Sequence, residues 1–153
     1  MPNRCSTSLP PGSCRGNKPV DTTEPELRIS ETDQGVRYGI WSRESNPPAP
    51  TLFILANTIE GTLAADYFRQ SGTTLAQQGW CCVSIDMPGH GLEHRDGEPA
   101  ELEGWRFRAD AGEDFVEETN RRLAHVLDHL IAKGCTDAEK VAVCGTSRGG
   151  FLA

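Results

Sequence analysis

Three short apolar runs, residues 51–56, 80–85 and 140–144, are separated by stretches of helical periodicity, and this alternation constrains the fold more than any other feature. A short, nearly continuous apolar run is what a strand covered on both faces looks like, and such strands belong to parallel sheets. Residues 66–78 predict a helix with Tyr67, Phe68, Ser71 and Leu75 near one face and Gly79 at its C-terminal stop. Gly72 weakens that helix by about 1 kcal/mol relative to alanine. Residues 113–133 predict a second, with Val116, Leu123, Leu127, Leu130 and Ile131 as its apolar stripe. Glu113, Glu117 and Glu118 lie toward its N-terminal end, where they suit the helix dipole, and Gly134 follows its last turn. Strands alternating with amphipathic helices imply an α/β fold with a mainly parallel sheet.

Ahead of these elements, Leu27 and Ile29, then Val36, Tyr38 and Ile40, alternate with polar residues around Asp33-Gln34-Gly35, which predicts an antiparallel hairpin. The proline-rich segment 46–50 breaks the chain before the first buried run. Residues 1–24 are rich in Pro, Gly, Ser, Thr and Asn and predict a flexible tail, leaving residues 25–153 as the folded unit. Residues 92–110 read as charged and irregular. Arg106, Arg108, Asp110, Glu113 and Asp114 form a mixed patch expected on a solvated surface, and Trp41, Trp80 and Trp105 are expected as packing residues.

Composition excludes some partners. With 15 Lys+Arg against 22 Asp+Glu the net charge is −7, which argues against nucleic acid, whose non-specific affinity comes from neutralising phosphates. No stretch reaches the ~20 apolar residues of a bilayer span, so no membrane partner is expected. The basic N-terminus lacks the apolar core of a secretory signal. Six cysteines are too few for a disulfide scaffold of this length; Cys81, Cys82 and Cys144 fall in apolar runs, whereas Cys5 and Cys14 sit in the tail at no metal-binding spacing. A reducing, cytoplasmic compartment is the expectation.

The chemistry-bearing motif is Gly145-Thr146-Ser147-Arg148-Gly149, a G-x-S-x-G directly after a strand run. A serine nucleophile must stand on a sharp strand-to-helix turn, flanking glycines keep side chains out of the corner, and the next residue's amide meets the developing oxyanion. An ordinary glycine-rich turn with a capping serine has the same five residues. Context favours the former, because residues 150–153 look like the start of a helix. The segment 83–91, Val-Ser-Ile-Asp-Met-Pro-Gly-His-Gly, follows another strand run.

With residues 51–58, these segments resemble the α/β-hydrolase superfamily in the right order, over residues 26–153. The extended Gly-Thr-Ser-Arg-Gly-Gly form is similar to serine esterases and to the prolyl-oligopeptidase-like and dienelactone-hydrolase-like branches. The resemblance implies Ser147 as nucleophile and the Arg148 amide as one oxyanion donor. The second donor is expected after Leu55, where Ala56-Asn57-Thr58 departs from the family's usual His-Gly; Thr58 is the first choice and Asn57 the second. Asn57 has a bland alternative, stabilising the turn through its side chain. His90 is expected to support its loop, since the family's catalytic histidine follows the acid late in the chain. Asp86 is expected to fix the same loop and His94 to be a loop residue. His125 and His129, spaced i and i+4, have the spacing of metal ligands, but position 126 is valine where a His-Glu-x-x-His motif has glutamate, and a partly exposed helix face is the reading.

In the family's order, acid and histidine lie beyond position 153. The expectation is therefore an N-terminal portion of the fold, truncated after the nucleophile elbow and hydrolytically inactive alone. The implied function is hydrolysis of a small-molecule ester, peptide or amide through a Ser147 acyl-enzyme, with no metal or organic cofactor; acyl transfer to another acceptor uses the same elbow. A non-catalytic hydrolase-like binding module is the alternative, its sheet completed by a partner chain instead of a missing C-terminal half. A phosphate-binding turn fits poorly, because residues 145–150 match neither the P-loop nor G-x-G-x-x-G.

Overall fold

The computed structural model describes residues 24–43 and 48–153. The expected tail falls almost wholly, and part of the proline-rich break, outside the described residues. Two antiparallel strands open the fold, β1 (Glu26–Glu31) and β2 (Arg37–Ser42), with Leu27 opposite Trp41 and Ile29 opposite Gly39. Their turn closes through Thr32 N–H to Val36 O at 2.9 Å, and Gly35 takes φ 78°, a conformation glycine adopts without strain.

The apolar runs become β3 (Ala49–Leu55) and β4 (Cys81–Ser84), which are buried, and β5 (Thr136–Gly145), which is longer than its run and, contrary to the expectation of a strand covered on both faces, largely exposed because it ends the described sheet. The sheet order is β1-β2-β4-β3-β5, with β3 parallel to both β4 and β5 and β2 antiparallel to β4. Alternation along β3 divides the core. Phe53 and Leu55 pack with Val83, Ile85, Trp105, Val126 and Leu130 on one face, while Leu52 and Ile54 pack with Trp41, Ile59, Leu63, Ala76 and Cys82 on the other. Helices therefore cover both faces, which is why β3 and β4 carry no polar alternation.

Helix α1 (Ile59–Leu63), for which no helix was expected, follows β3 directly. Its signal is Thr58, whose Oγ1 caps it by accepting Gly61 N–H at 2.9 Å. Helix α2 (Gln70–Gln77) is shorter than the predicted 66–78. Residues 66–69 form turns instead: Arg69 donates to Asp66 and to Leu63 O while its guanidinium lies 4.1 Å over the Trp41 ring, and Tyr67 is left exposed. The buried face of α2 is Gly72 and Ala76, not Tyr67 and Phe68. Gly72 is required by the packing, since a Cβ there would lie 2.8 Å from Ile54 Cδ1 and 2.9 Å from Cys82 Sγ.

The expected irregular segment contains α3 (Glu101–Asp110), and the second predicted helix is α4 (Phe115–Ala132), capped by Asp114. Thr119, Arg122, Val126 and Leu130 form the buried stripe of α4, with Leu123 and Leu127 packed beside it and Ile131 exposed. The charged patch is not uniformly solvated. Arg108 is 2% exposed, donates to Glu98 Oε2 at 2.8 Å and reaches Glu93 O, so ion pairing replaces hydration inside the loop. Arg106 and Asp110 do pair in solvent. Trp41 and Trp105 are buried and Trp80 packs against the core, as packing residues should.

Candidate active site

At the C-terminal end of β5 the chain turns at Ser147 into α5 (Arg148–Leu152). Ser147 holds φ 54° and ψ −119°; among the described non-glycine residues only it and Glu101 have positive φ. Such backbone costs about 1–3 kcal/mol and persists where the surroundings impose it. Here the surroundings are β3. Thr146 N–H donates to Leu55 O at 3.0 Å, and a Cβ on Gly149 would sit 1.8 Å from that same oxygen. A Cβ on Gly145 would lie 2.2 Å from the Gly149 carbonyl. Both glycines of G-x-S-x-G are therefore steric necessities of the turn, and the turn leaves Ser147 exposed.

The loop after β3 lies beside this turn. Asn57 is engaged at three atoms: its N–H donates to Thr62 Oγ1 at 3.2 Å, its Oδ1 accepts from Thr62 Oγ1 at 3.1 Å, and its carbonyl accepts Met87 N–H at 3.0 Å. Neither the Thr58 nor the Arg148 backbone N–H donates to another described residue.

The segment after β4 is organised by Asp86, 1% exposed. Its Oδ1 accepts Ile59 N–H at 2.9 Å, capping α1, and its Oδ2 accepts from Arg37 at 2.9 Å and from Leu92 N–H at 3.3 Å. Gly91 is needed because a Cβ there would fall 2.6 Å from Asp86 Oδ1. His90 places Nδ1 2.9 Å from Pro88 O, and His94 is exposed on the loop. Asp86 and His90 thus hold their own loop, and neither hydrogen-bonds to Ser147.

No family model matches the sequence, and no curated protein matches it. Solved structures do. A dienelactone hydrolase-like promiscuous phosphotriesterase from metagenomic libraries aligns over 85% of this chain at 20% identity and TM-score 0.55. An acetyl xylan esterase from Paenibacillus sp. R4 aligns over 89% at 18% identity and TM-score 0.54. The Pyrococcus horikoshii acylaminoacyl peptidase aligns over 86% at 14% identity and TM-score 0.53. The chain has the α/β-hydrolase fold. It spans 52%, 49% and 21% of the lengths of those three proteins, about half or less.

Sequence reasoning missed what packs against the hydrolase-fold elbow. Helix α3 lies beside it: Arg148 Nη2 donates to Glu101 Oε2 at 3.3 Å, the Trp105 and Phe151 rings are 6.3 Å apart, and Trp105 Nε1–H donates to Pro88 O at 2.6 Å. Glu101, at φ 57°, is the second strained residue, so both positive-φ non-glycines are joined through Arg148. A helix pattern for residues 101–110 was masked by charge, with Leu102 and Phe107 exposed and only Gly104, Trp105 and Arg108 buried.

Three of the described cysteines are poorly placed as nucleophiles. Burial pushes the Cys81 thiol to about 11 and the Cys82 thiol to about 12, so both stay protonated; Cys144 is half-buried and raised by the same cause. Among the described residues no cluster of three or more His, Cys, Asp or Glu side chains is arranged to hold a metal ion, and no helix is long and apolar enough to cross a membrane.

Proposed function

We propose that this chain carries the nucleophile of a serine hydrolase acting on a small ester, peptide or amide, of the esterase, prolyl-oligopeptidase-like or dienelactone-hydrolase-like type. The observation that carries the reading is the strained Ser147 at the β5–α5 turn, held by two glycines that tolerate no side chain. Ser147 Oγ would attack the substrate carbonyl, and the resulting oxyanion would accept the Arg148 and Thr58 backbone N–H groups. Thr58 is preferred over Asn57 because the Asn57 N–H is already engaged by Thr62. Collapse would expel the alcohol or amine and leave an acyl-Ser147 ester, which water then hydrolyses.

None of the four histidines hydrogen-bonds to Ser147, which supports a base from outside them. We assign base and acid to polypeptide adding beyond β5, either further strands of a longer chain or a partner. Val141 and Val143 are exposed on β5, the last strand of the described sheet, which supports that assignment. The same open edge favours a second reading, a non-catalytic module completed by a binding partner. The thiols of Cys81, Cys82, Cys135 and Cys144 are free, which supports a reducing, cytoplasmic setting.

The test uses protein isolated from its own cells, treated with a fluorophosphonate and peptide-mapped. An adduct on the Ser147 peptide, absent from Ser147→Ala, supports the hydrolase. A co-purifying partner with no adduct supports the module and removes the catalytic assignment.

A further inference from the structure

A groove of about 790 Å³ lies between the C-terminal half of α4 and the β1–β2 turn, on the β1–β2 side of a sheet whose other edge is β5, the strand that leads to Ser147. We propose that His125 and His129 in this groove bind one late first-row divalent transition-metal ion. The two side chains stand one helical turn apart on α4 and both line the groove.

His129 Nδ1 lies 2.7 Å from Asp33 Oδ1, and its ring meets the Tyr38 ring edge-on at 5.8 Å. A carboxylate on one ring nitrogen fixes the tautomer with Nδ1–H donating, orients the ring, and leaves the Nε2 lone pair as the ligand atom. His125 Nδ1 is buried and has no hydrogen-bond partner among the described residues, an unsatisfied polar atom that a bound ion would satisfy. Glu31, Asp33 and Asp128 line the groove against the single cation Lys133, so its field favours a divalent ion. With two protein ligands, water fills the remaining coordination positions, and imidazole favours Ni²⁺, Cu²⁺ or Zn²⁺ over Mg²⁺ or Ca²⁺. The position 126 valine that removes a His-Glu-x-x-His protease motif does not affect ligation, because the glutamate of that motif acts as a base.

The test is a calorimetric titration of the full chain with Ni²⁺, chosen over Zn²⁺ because thiolates compete less for it. The expected result is one Ni²⁺ per chain, a melting temperature that rises with Ni²⁺, and loss of binding in both His125→Ala and His129→Ala. Asp33→Asn should weaken binding roughly tenfold or more at unchanged stoichiometry, and His94→Ala should leave it intact. Circular dichroism checks that the variants fold. Independently of any variant, Ni²⁺ should perturb the ring resonances of His125 and His129 in the wild-type protein and spare His90 and His94. A Kd weaker than about 1 mM, ring resonances of His125 and His129 that stay put, or full binding in either folded alanine variant overturns the proposal.

Discussion

Ser147 and Gly149 illustrate how one turn divides its costs. The serine occupies a region that disfavours a Cβ, and Gly149 occupies a space that excludes one. Ser147→Gly should therefore be about 1 kcal/mol more stable than Ser147→Ala in urea denaturation, because glycine relieves the φ strain at a smaller entropic loss. Equal stability of the two variants would mean that the elbow is not strained. Gly149→Ala should lose stability at the upper end of about 1–3 kcal/mol, since Leu55 O is backbone and cannot step aside. A wild-type denaturation midpoint for that variant would contradict the packing described for the elbow. The glycine spacing and the serine could be read from five letters. That Thr62 engages the Asn57 N–H, while the Thr58 N–H has no partner among the described residues, could not, because it depends on where α1 begins.

At the scale of elements, the segment between β4 and α4 departs most from expectation. Its charged residues read as solvated, yet Arg108 and Glu98 pair out of water and tie the loop to α3. Glu98→Ala would strand the Arg108 guanidinium and should cost about 3–5 kcal/mol. The Arg108 hydrogen bonds hold the Glu98 carboxyl down from 4.5 to about 2. A carboxyl lowered on folding stabilises fully above its unfolded value, so this contribution is present above about 4.5 and fades as pH falls toward 2. Urea midpoints measured from pH 6 down to 3 should drop less steeply in Glu98→Gln than in the wild type. A parallel pH dependence in the two proteins would show that the pair contributes nothing on acidification. Helix α4 was legible because its apolar residues recur at helical spacing, whereas α2 was legible only in its place and its Gly79 stop, since its buried face is Gly72 and Ala76. Helix α3 was not, because its burial rests on one tryptophan, one glycine and one paired arginine, a combination that carries no hydrophobic period.

For the molecule as a whole, β5 is one of the two exposed edges of the described sheet, β1 being the other. Its outer edge presents unpaired backbone beside Val141 and Val143, a template for adding strands. The full chain should therefore self-associate as concentration rises in sedimentation velocity, and Val143→Lys should suppress it. A monomer at every concentration would show that the edge is already shielded.

Sequence alone determined the succession of the five strands with a helix before and after β4, the parallel character of the central strands and the identity of the candidate nucleophile; it did not show α1 or α3. Each is written in local pattern: apolar runs, helical periods, and glycines at fixed offsets from a serine. Only the tertiary structure decided that Asp86 caps α1, that Arg108 is buried, that Glu101 reaches Arg148, and that Asp33 orients His129. Those contacts join residues far apart in the chain, and a side chain's partner there is set by strand order and helix packing, which no local pattern encodes.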